Sequence, residues 1–364
     1  MRFWEFEGND LNGKPLRWWM VEAGLQGKWG KVIAEFEGTF GTIFTLDQGE
    51  NTWPRYLIAK APKIGKGEKP EKIQEKILHF LHEINETYKY IHHPLVARHF
   101  DVRICSGLPF VLSHKWDHTL QDLIDGERIN LAESLSIVIQ LAHALAYCAS
   151  RGLSAHQDLK PANVLLDRLE RFRAPDGARS PLEHRVLICD FGMANAFSAF
   201  RKPWGSRPYM APEQYGQPST LAKADVFALG VILHELITSG FHPLGETTSD
   251  VWPNPLPSKP NKWKHEDVWK KWARRATIFD SKRVPSPMLV TIINKCLECD
   301  LSVRYSSVSL KKDLLEFLKS YNRNIYDNLT LVLSYFDDLA ATGEVGGWPY
   351  YDRLLEQVKS YDYS

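Results

Sequence analysis

This sequence predicts an α+β, bilobal fold: a small β-rich lobe with one main helix, a larger and mostly helical lobe, and a helical C-terminal extension. Three observations predict it. Short β-branched or aromatic runs separated by Gly-containing turns fill the early part of the chain. Long runs at helical spacing begin near Asn130. One later run, Asp225–Ile237, is apolar nearly all round, as a helix through the centre of a lobe must be.

Taken in order, 1–30 reads as an N-terminal extension leading into the small lobe, 31–112. Lys31–Phe36, Thr42–Leu46 and Arg55–Ala59 read as strands, and Pro109–Ser113 as another. Between them, Glu71–Ile91 carries Ile73, Ile77, Leu78, Leu81 and Ile84 at helical spacing. The larger lobe is assigned to 113–321. Asn130 with Glu133 three residues on is a capping signature ahead of Leu135, Val138, Ile139, Ala142 and Leu145. Two stretches read as insertions, at about 167–185 (polar, arginine-rich) and about 243–264 (rich in Pro and Trp). Solvated loops are expected for both, with docking surfaces as the alternative. The extension, 322–364, reads as two helices, Leu331–Leu339 and Tyr351–Val358, joined through Gly343, Gly346, Gly347 and Pro349.

Composition narrows the function classes. Apolar residues make up 44% and charged residues 24% of 364, as in folded globular chains. Forty-five basic residues face forty-four acidic ones, so no global field attracts nucleic acid or a membrane surface. No leader is read at Met1–Glu7, and no apolar run of membrane-spanning length is read in the chain. Five scattered cysteines fit a reducing, cytoplasmic setting better than a disulfide framework. Cys296 and Cys299 form a lone C-x-x-C pair without a second pair nearby, and the thirteen histidines show no ligand spacing.

The chemistry concentrates in Ala155-His156-Gln157-Asp158-Leu159-Lys160-Pro161-Ala162-Asn163 and, downstream, Asp190-Phe191-Gly192. An acid, a lysine and an amide share one turn, with a second acid arriving on another strand. Those are the groups needed to hold a metal-bound triphosphate against a hydroxyl. The first block fits H-R-D-L-x-x-x-N with Gln157 in place of Arg, and the second fits D-F-G. With Gly205-Ser206-Arg207-Pro208-Tyr209-Met210-Ala211-Pro212-Glu213 following in order, the chain resembles the eukaryotic-type protein kinase family. Lys160-Pro161 and Gly205-Ser206 resemble its serine/threonine branch.

The resemblance implies transfer of the γ-phosphoryl group of ATP to Ser or Thr hydroxyls of protein substrates, with Mg²⁺ or Mn²⁺. Asp158 would accept the hydroxyl proton, Lys160 would neutralise the moving phosphoryl, and Asn163 and Asp190 would ligate the metal. Lys60, in Leu57-Ile58-Ala59-Lys60, would grip the α/β-phosphates; Lys63 is the rival, disfavoured by Pro62 beside it. Ile58 stands where the family usually has a small alanine over the base, unless Ala59 marks a local shift. Gly38 and Gly41, ahead of Ile43, suit a phosphate-covering loop in which Phe36 replaces the first glycine; Gly27 and Gly30 are the alternative. Glu83 is preferred as the ion-pair partner of Lys60, with Glu75 and Glu86 open. Leu112, guarding the back of the pocket, with Ser113, Lys115 and Leu165, completes the set assigned to the base. Glu213 would pair with Arg304, and Asp225 would hold the catalytic loop from beneath.

Gln157 cannot attract a phosphate as an arginine does, which implies activity not switched by phosphorylation of the activation segment, for instance at Ser198. Two other readings are carried: a pseudokinase scaffold that binds partners or nucleotide without turnover, and a small-molecule phosphotransferase. Oligomeric state is not legible.

Overall fold

The computed structural model describes residue 3 and residues 8–38, 41–126, 129–169, 182–194, 205–216, 220–342, 351–361 and 363. Outside these lie Thr39 and Phe40 of the glycine segment, 170–181 of the polar insertion, Ser198, most of Met1–Glu7, and Gly343, Gly346, Gly347 and Pro349. The chain forms two compact units. One comprises Met1–Ile91, Arg98–Lys115 and Glu344–Ser364; the other comprises His92–Ala97 and Trp116–Gly343. Both are assembled from non-contiguous stretches, so neither is 31–112, 113–321 or 322–364 as a block.

The first unit is built on an antiparallel sheet of β1 (Lys31–Glu37), β2 (Gly41–Asp47), β3 (Tyr56–Pro62), β4 (His99–Cys105) and β5 (Leu108–His114), in the order β1-β2-β3-β5-β4. α1 (Leu16–Gly24) packs on β1 and β4, and α2 (Pro70–Tyr88) on β3 and β5. Alternation along β3 sends Leu57, Ala59 and Ala61 into the core and Ile58 and Lys60 to the other face. Ile73, Ile77, Phe80, Leu81 and Ile84 of α2 meet that core at helical spacing, Phe80 taking the buried place expected of Leu78. The helix begins at Pro70, whose fixed φ suits a first turn and whose missing N–H would have no partner there.

Both chain ends belong to this core. Phe3 lies edge-on to Phe44 and Phe110 at 5.9 and 5.4 Å. The helix Tyr351–Ser360 packs on α2, burying Val358, and the Tyr363 hydroxyl donates to the Gly107 carbonyl at 3.1 Å. A Cβ on Gly107, at φ +80°, would lie 2.4 Å from the Tyr361 ring, so only glycine lets the β4–β5 turn accept this tail.

The second unit surrounds α4 (Leu131–Ser150) and α5 (Ala224–Ile237), with α3 (Leu120–Gly126) and a small sheet of β6 (His118–Thr119), β7 (Val164–Arg168) and β8 (His184–Ile188). Asn130 Oδ1 caps α4 by accepting the Glu133 N–H at 2.9 Å. The reciprocal half of the box is replaced: Glu133 accepts the backbone N–H of His184 at 2.9 Å and of Glu183 at 3.3 Å, tying β8 to α4. Contrary to the sequence reading, α4 is long and apolar enough to cross a membrane; 83% of its most apolar window is buried within the protein. Every residue of α5 except Ile237 is buried. A Cβ on Gly230 would lie 2.6 Å from Cys296 Cβ, so glycine sets the approach of α5 to a helix carrying Cys296, Pro287–Leu297.

The Pro/Trp-rich insertion is mostly exposed over 253–262, as a solvated loop is, and is anchored on either side of that stretch. It contributes α6 (Thr248–Val251) and the turn Asn261–Lys264, followed by α7 (Glu266–Ala273). Val251, Trp263 and Trp269 form a satellite core with Trp252, Tyr215 and Leu244 against it, and Trp269 Nε1 donates to the Trp263 carbonyl at 3.0 Å. The Trp269 indole thus finds both apolar neighbours and an acceptor, which lets it bury; composition alone hid this. α8 (Pro287–Leu297) packs on α5, and α9 (Ser307–Tyr321) and α10 (Arg323–Ala341) layer onto α4.

Candidate active site

In the second unit the loop before β7 is held from below. Asp225, at the start of α5, accepts the His156 N–H at 2.7 Å and the Gln157 N–H at 3.0 Å. Its buried carboxyl is pushed above the usual carboxylate range by desolvation, against which these two bonds act. Gln157 occupies the left-handed region at φ 71°, a costly conformation for a non-glycine residue that the surroundings enforce. Its side-chain amide donates to the Met193 carbonyl at 2.6 Å, and its carbonyl accepts from Gln214 Nε2 at 2.9 Å. Gly205, at φ +151°, passes so close that a Cβ would lie 2.7 Å from that same carbonyl. Nothing in the sequence signalled Gln214; its role exists only once two distant loops meet.

The strained turn sets out Asp158, Lys160 and Asn163. Asp158 Oδ1 accepts the Ser206 N–H at 2.7 Å, and Oδ2 accepts from Lys160 Nζ at 2.9 Å and Asn163 Nδ2 at 3.2 Å. Lys160 Nζ also donates to Ser206 Oγ at 2.8 Å. Asn163 Nδ2 has a second acceptor in the Asp158 carbonyl at 2.8 Å, which leaves Asn163 Oδ1 as the acceptor end of the amide. Pairing of β7 with β8 brings the second acid to the same place. The Cys189 N–H donates to the Asn163 carbonyl at 3.1 Å, and Asp190 follows at once, exposed and at φ 63°. Buried Phe191 lies edge-on to His156 at 4.9 Å, fixing that segment. An amide oxygen and a carboxylate, on residues that the Cys189–Asn163 backbone bond brings near each other, are hard-oxygen donors of the kind that suit Mg²⁺ or Mn²⁺.

Further along, Arg304 makes a bidentate pair with Glu213, at 2.6 and 3.0 Å, and is itself buried. Its Nε donates to the Glu298 carbonyl at 2.6 Å, so the desolvated guanidinium is compensated on several sides.

In the first unit, Lys60 Nζ pairs with Glu83 at 2.6 Å; both side chains are largely buried. Of the other glutamates considered, Glu75 is exposed and Glu86 pairs with Lys89. Lys63 pairs with Glu37 at 3.0 Å on the surface. Gly41 lies against the Lys60 side chain: a Cβ there would sit 3.3 Å from Lys60 Cε and 2.9 Å from the Ala61 carbonyl. Gly30, by contrast, approaches Asp47 at the far end of the same hairpin. Ile43 pairs with Lys60, and β2 and β3 run in register without a bulge, so Ile58 shares the Lys60 face and Ala59 does not replace it.

Leu112 pairs with Ala59 and lies fully buried in the core face, away from Lys60. Val111, opposite Lys60, and Ser113, opposite Ile58, share the lysine's face, because partners across an antiparallel pair point to the same side. The Lys115 N–H donates to the Tyr56 carbonyl at 3.2 Å. Leu165, in the second unit, is half-buried between Thr119 and Leu187.

A further cluster arises by tertiary contact alone. His143 Nε2 donates to Asp337 Oδ1 at 2.9 Å, and His93 Nε2 lies 3.6 Å from the same oxygen. Their Nδ1 atoms accept, from Lys311 Nζ at 3.1 Å and from the Leu95 N–H at 3.2 Å. Both Nε2 atoms therefore carry hydrogen: the hub joins His143 of α4 to Asp337 of α10 by a hydrogen bond, and His93, in the segment 92–97, lies beside them with its buried Nε2 making no hydrogen bond among the described residues.

Comparison with known proteins agrees with this geometry. A family model for the protein kinase domain matches residues 37–315. Serine/threonine-protein kinase PknD of Protochlamydia amoebophila is 30% identical over 195 residues, 51% of this chain and 18% of that protein. CBL-interacting serine/threonine-protein kinase 3 of Arabidopsis thaliana is 30% identical over 222 residues, 60% of this chain and 46% of that protein. Sperm motility kinase Z of Mus musculus is 35% identical over 124 residues, 33% of this chain and 22% of that protein. The matches thus span less than half the length of each of these relatives.

Proposed function

This chain belongs to the protein kinase domain family, and from that premise we propose that it is an active serine/threonine protein kinase. The observation that carries the reading is the Asp158–Lys160–Ser206 arrangement with Asn163 bonded to the same carboxylate. In the reaction, the hydroxyl oxygen of a Ser or Thr forms a bond to the γ-phosphorus of ATP as the bond to the β-phosphate oxygen breaks. The electron pair leaves with ADP, and the hydroxyl proton passes to Asp158 and then to solvent. Lys160 offsets negative charge beside that carboxylate, and Lys60, steadied by Glu83, binds phosphate oxygens. Asn163 and Asp190 would hold Mg²⁺ or Mn²⁺, which supplies charge neutralisation when bound. Incubation with labelled ATP and Mg²⁺ should label the protein or a generic substrate, and Asp158→Ala should abolish it; label surviving that change would remove the reading.

Regulation follows from Gln157. Its amide is engaged with the Met193 carbonyl, a neutral bond that draws no phosphate. Activity is therefore independent of activation-segment phosphorylation: Ser198→Ala should retain most of it. Five free cysteines support a reducing compartment, the cytoplasm.

A second reading, a scaffold without turnover, is favoured by Ile58, whose bulk stands on the Lys60 face, and by exposed Phe36 where a loop glycine is usual. It expects a thermal shift with ATP and no transfer.

A further inference from the structure

We propose that Arg207 selects protein substrates carrying an anionic side chain, carboxylate or phosphate, within a few residues of the accepting hydroxyl. This rests on the kinase reading above and names its substrate class.

Three observations carry it. Arg207 follows Ser206 directly, and Ser206 is bonded through its N–H to Asp158 and through its hydroxyl to Lys160. The backbone of Arg207 is fixed as well, its carbonyl accepting from the Tyr215 hydroxyl at 2.8 Å. A side chain at this position therefore stands beside the groups that would align the accepting hydroxyl.

The guanidinium is itself held in place. One nitrogen, Nη1, donates to the Lys264 carbonyl at 2.9 Å, and the group lies over the Trp252 ring at 5.4 Å. Trp252 packs on the satellite core of the insertion, so this otherwise unexplained Trp-rich stretch is the shelf that orients the arginine. Holding the fork beforehand lowers the entropy lost when it binds a partner.

Among the described residues no carboxylate lies within ion-pair distance of Arg207, in contrast to Arg304, which is saturated by Glu213. Only one of its five N–H donors is committed among those residues. Lys262, over the Trp263 ring at 4.6 Å, and Lys264 add positive charge to the same turn. An oriented, partly exposed fork with no carboxylate in ion-pair distance among the described residues is complementary to a carboxylate or phosphate and unfavourable to a basic side chain.

The test uses peptides with a single Ser and, at one position from three before to three after it, Glu, phosphoserine, Gln or Lys. With the wild-type chain, kcat/KM should be about tenfold higher for an anion than for Gln at one of these positions, as expected for a bidentate charge-assisted pair. Arg207→Gln keeps a donor for the Lys264 carbonyl without the charge and should bring the ratio near one. Arg207→Glu should turn the preference toward Lys. The larger of the Glu and phosphoserine effects identifies the anion. No anion preference in the wild type, or a preference that survives Arg207→Gln, overturns the proposal. Binding of the same peptides is followed in parallel by fluorescence anisotropy. A Glu-to-Gln affinity ratio that depends on Arg207 without any transfer would leave the recognition standing and remove the enzyme reading; a ratio of one would remove the recognition.

Discussion

Ser206 meets Asp158 through its backbone N–H, at 2.7 Å, and not through its hydroxyl, which accepts from Lys160 instead. The segment after Gly205 is thus clamped to the acid by a bond that Ser206→Ala leaves in place, while the lysine also bonds to the hydroxyl. Ser206→Ala should therefore lower kcat by about tenfold, against roughly 10²–10⁴-fold for Asp158→Ala, the range expected when a general base is removed. Single-turnover rates on one protein substrate would decide this. Equal losses for the two variants would mean that the hydroxyl acts on the reacting atoms.

Glu83 and Lys60 form an ion pair that holds the lysine in a single direction. Glu83→Gln should raise KM for ATP by about tenfold with a smaller change in kcat, because a neutral amide orients an ammonium less strongly than a carboxylate does. Glu75→Gln, on the exposed side of the same helix, should change neither. Isothermal titration with a non-hydrolysable ATP analogue checks the affinity directly.

Burial pushes Glu235 up to about 8, although it accepts from the hydroxyls of Tyr209 and Thr248. In the unfolded chain this carboxyl loses its proton near 4.5. Between about pH 4.5 and 8 the folded state holds a proton that the unfolded state has lost. The group's contribution to stability therefore falls as pH rises, by up to about 1.4 kcal/mol per pH unit. Glu235→Gln should flatten stability against pH across that window in urea melts. Parallel profiles for the two proteins would show that the carboxyl is already ionised when folded.

The His93–His143–Asp337 hub has the opposite sign. Burial, with the second imidazole adjoining, holds His93 down to about 4, and burial also holds His143 below 6.5. Unfolded histidines bind protons near 6.5, so the unfolded state takes up more protons on acidification and stability falls from about pH 6.5 toward 4. His93→Gln should reduce that loss. Added Zn²⁺ should leave the melting temperature unchanged, since both Nδ1 atoms already accept hydrogen bonds.

Much of the site could be read from the chain because its chemistry is local. Asp158, Lys160 and Asn163 fall within six residues, so one turn brings them together whatever surrounds it. Lys60 was legible from the apolar residues before it, and Glu83 from its interval ahead of His93-Pro94-Leu95-Val96, both as the family resemblance implies. The face of Leu112 was not, because parity along β5 has meaning only once its register against β3 is set.

By itself the sequence determined the α+β class, the order of the main strands and helices apart from α1 and β4, and the residue types in the catalytic turn, which follow from short-range periodicity and spacing. Tertiary structure alone decided that Arg207 rests on Trp252, that Gln214 grips Gln157, and that His143 meets Asp337 across 194 residues of chain. The physical reason is that such pairings depend on which buried surfaces pack together, and a linear pattern of polarity says which side chains bury without saying against what.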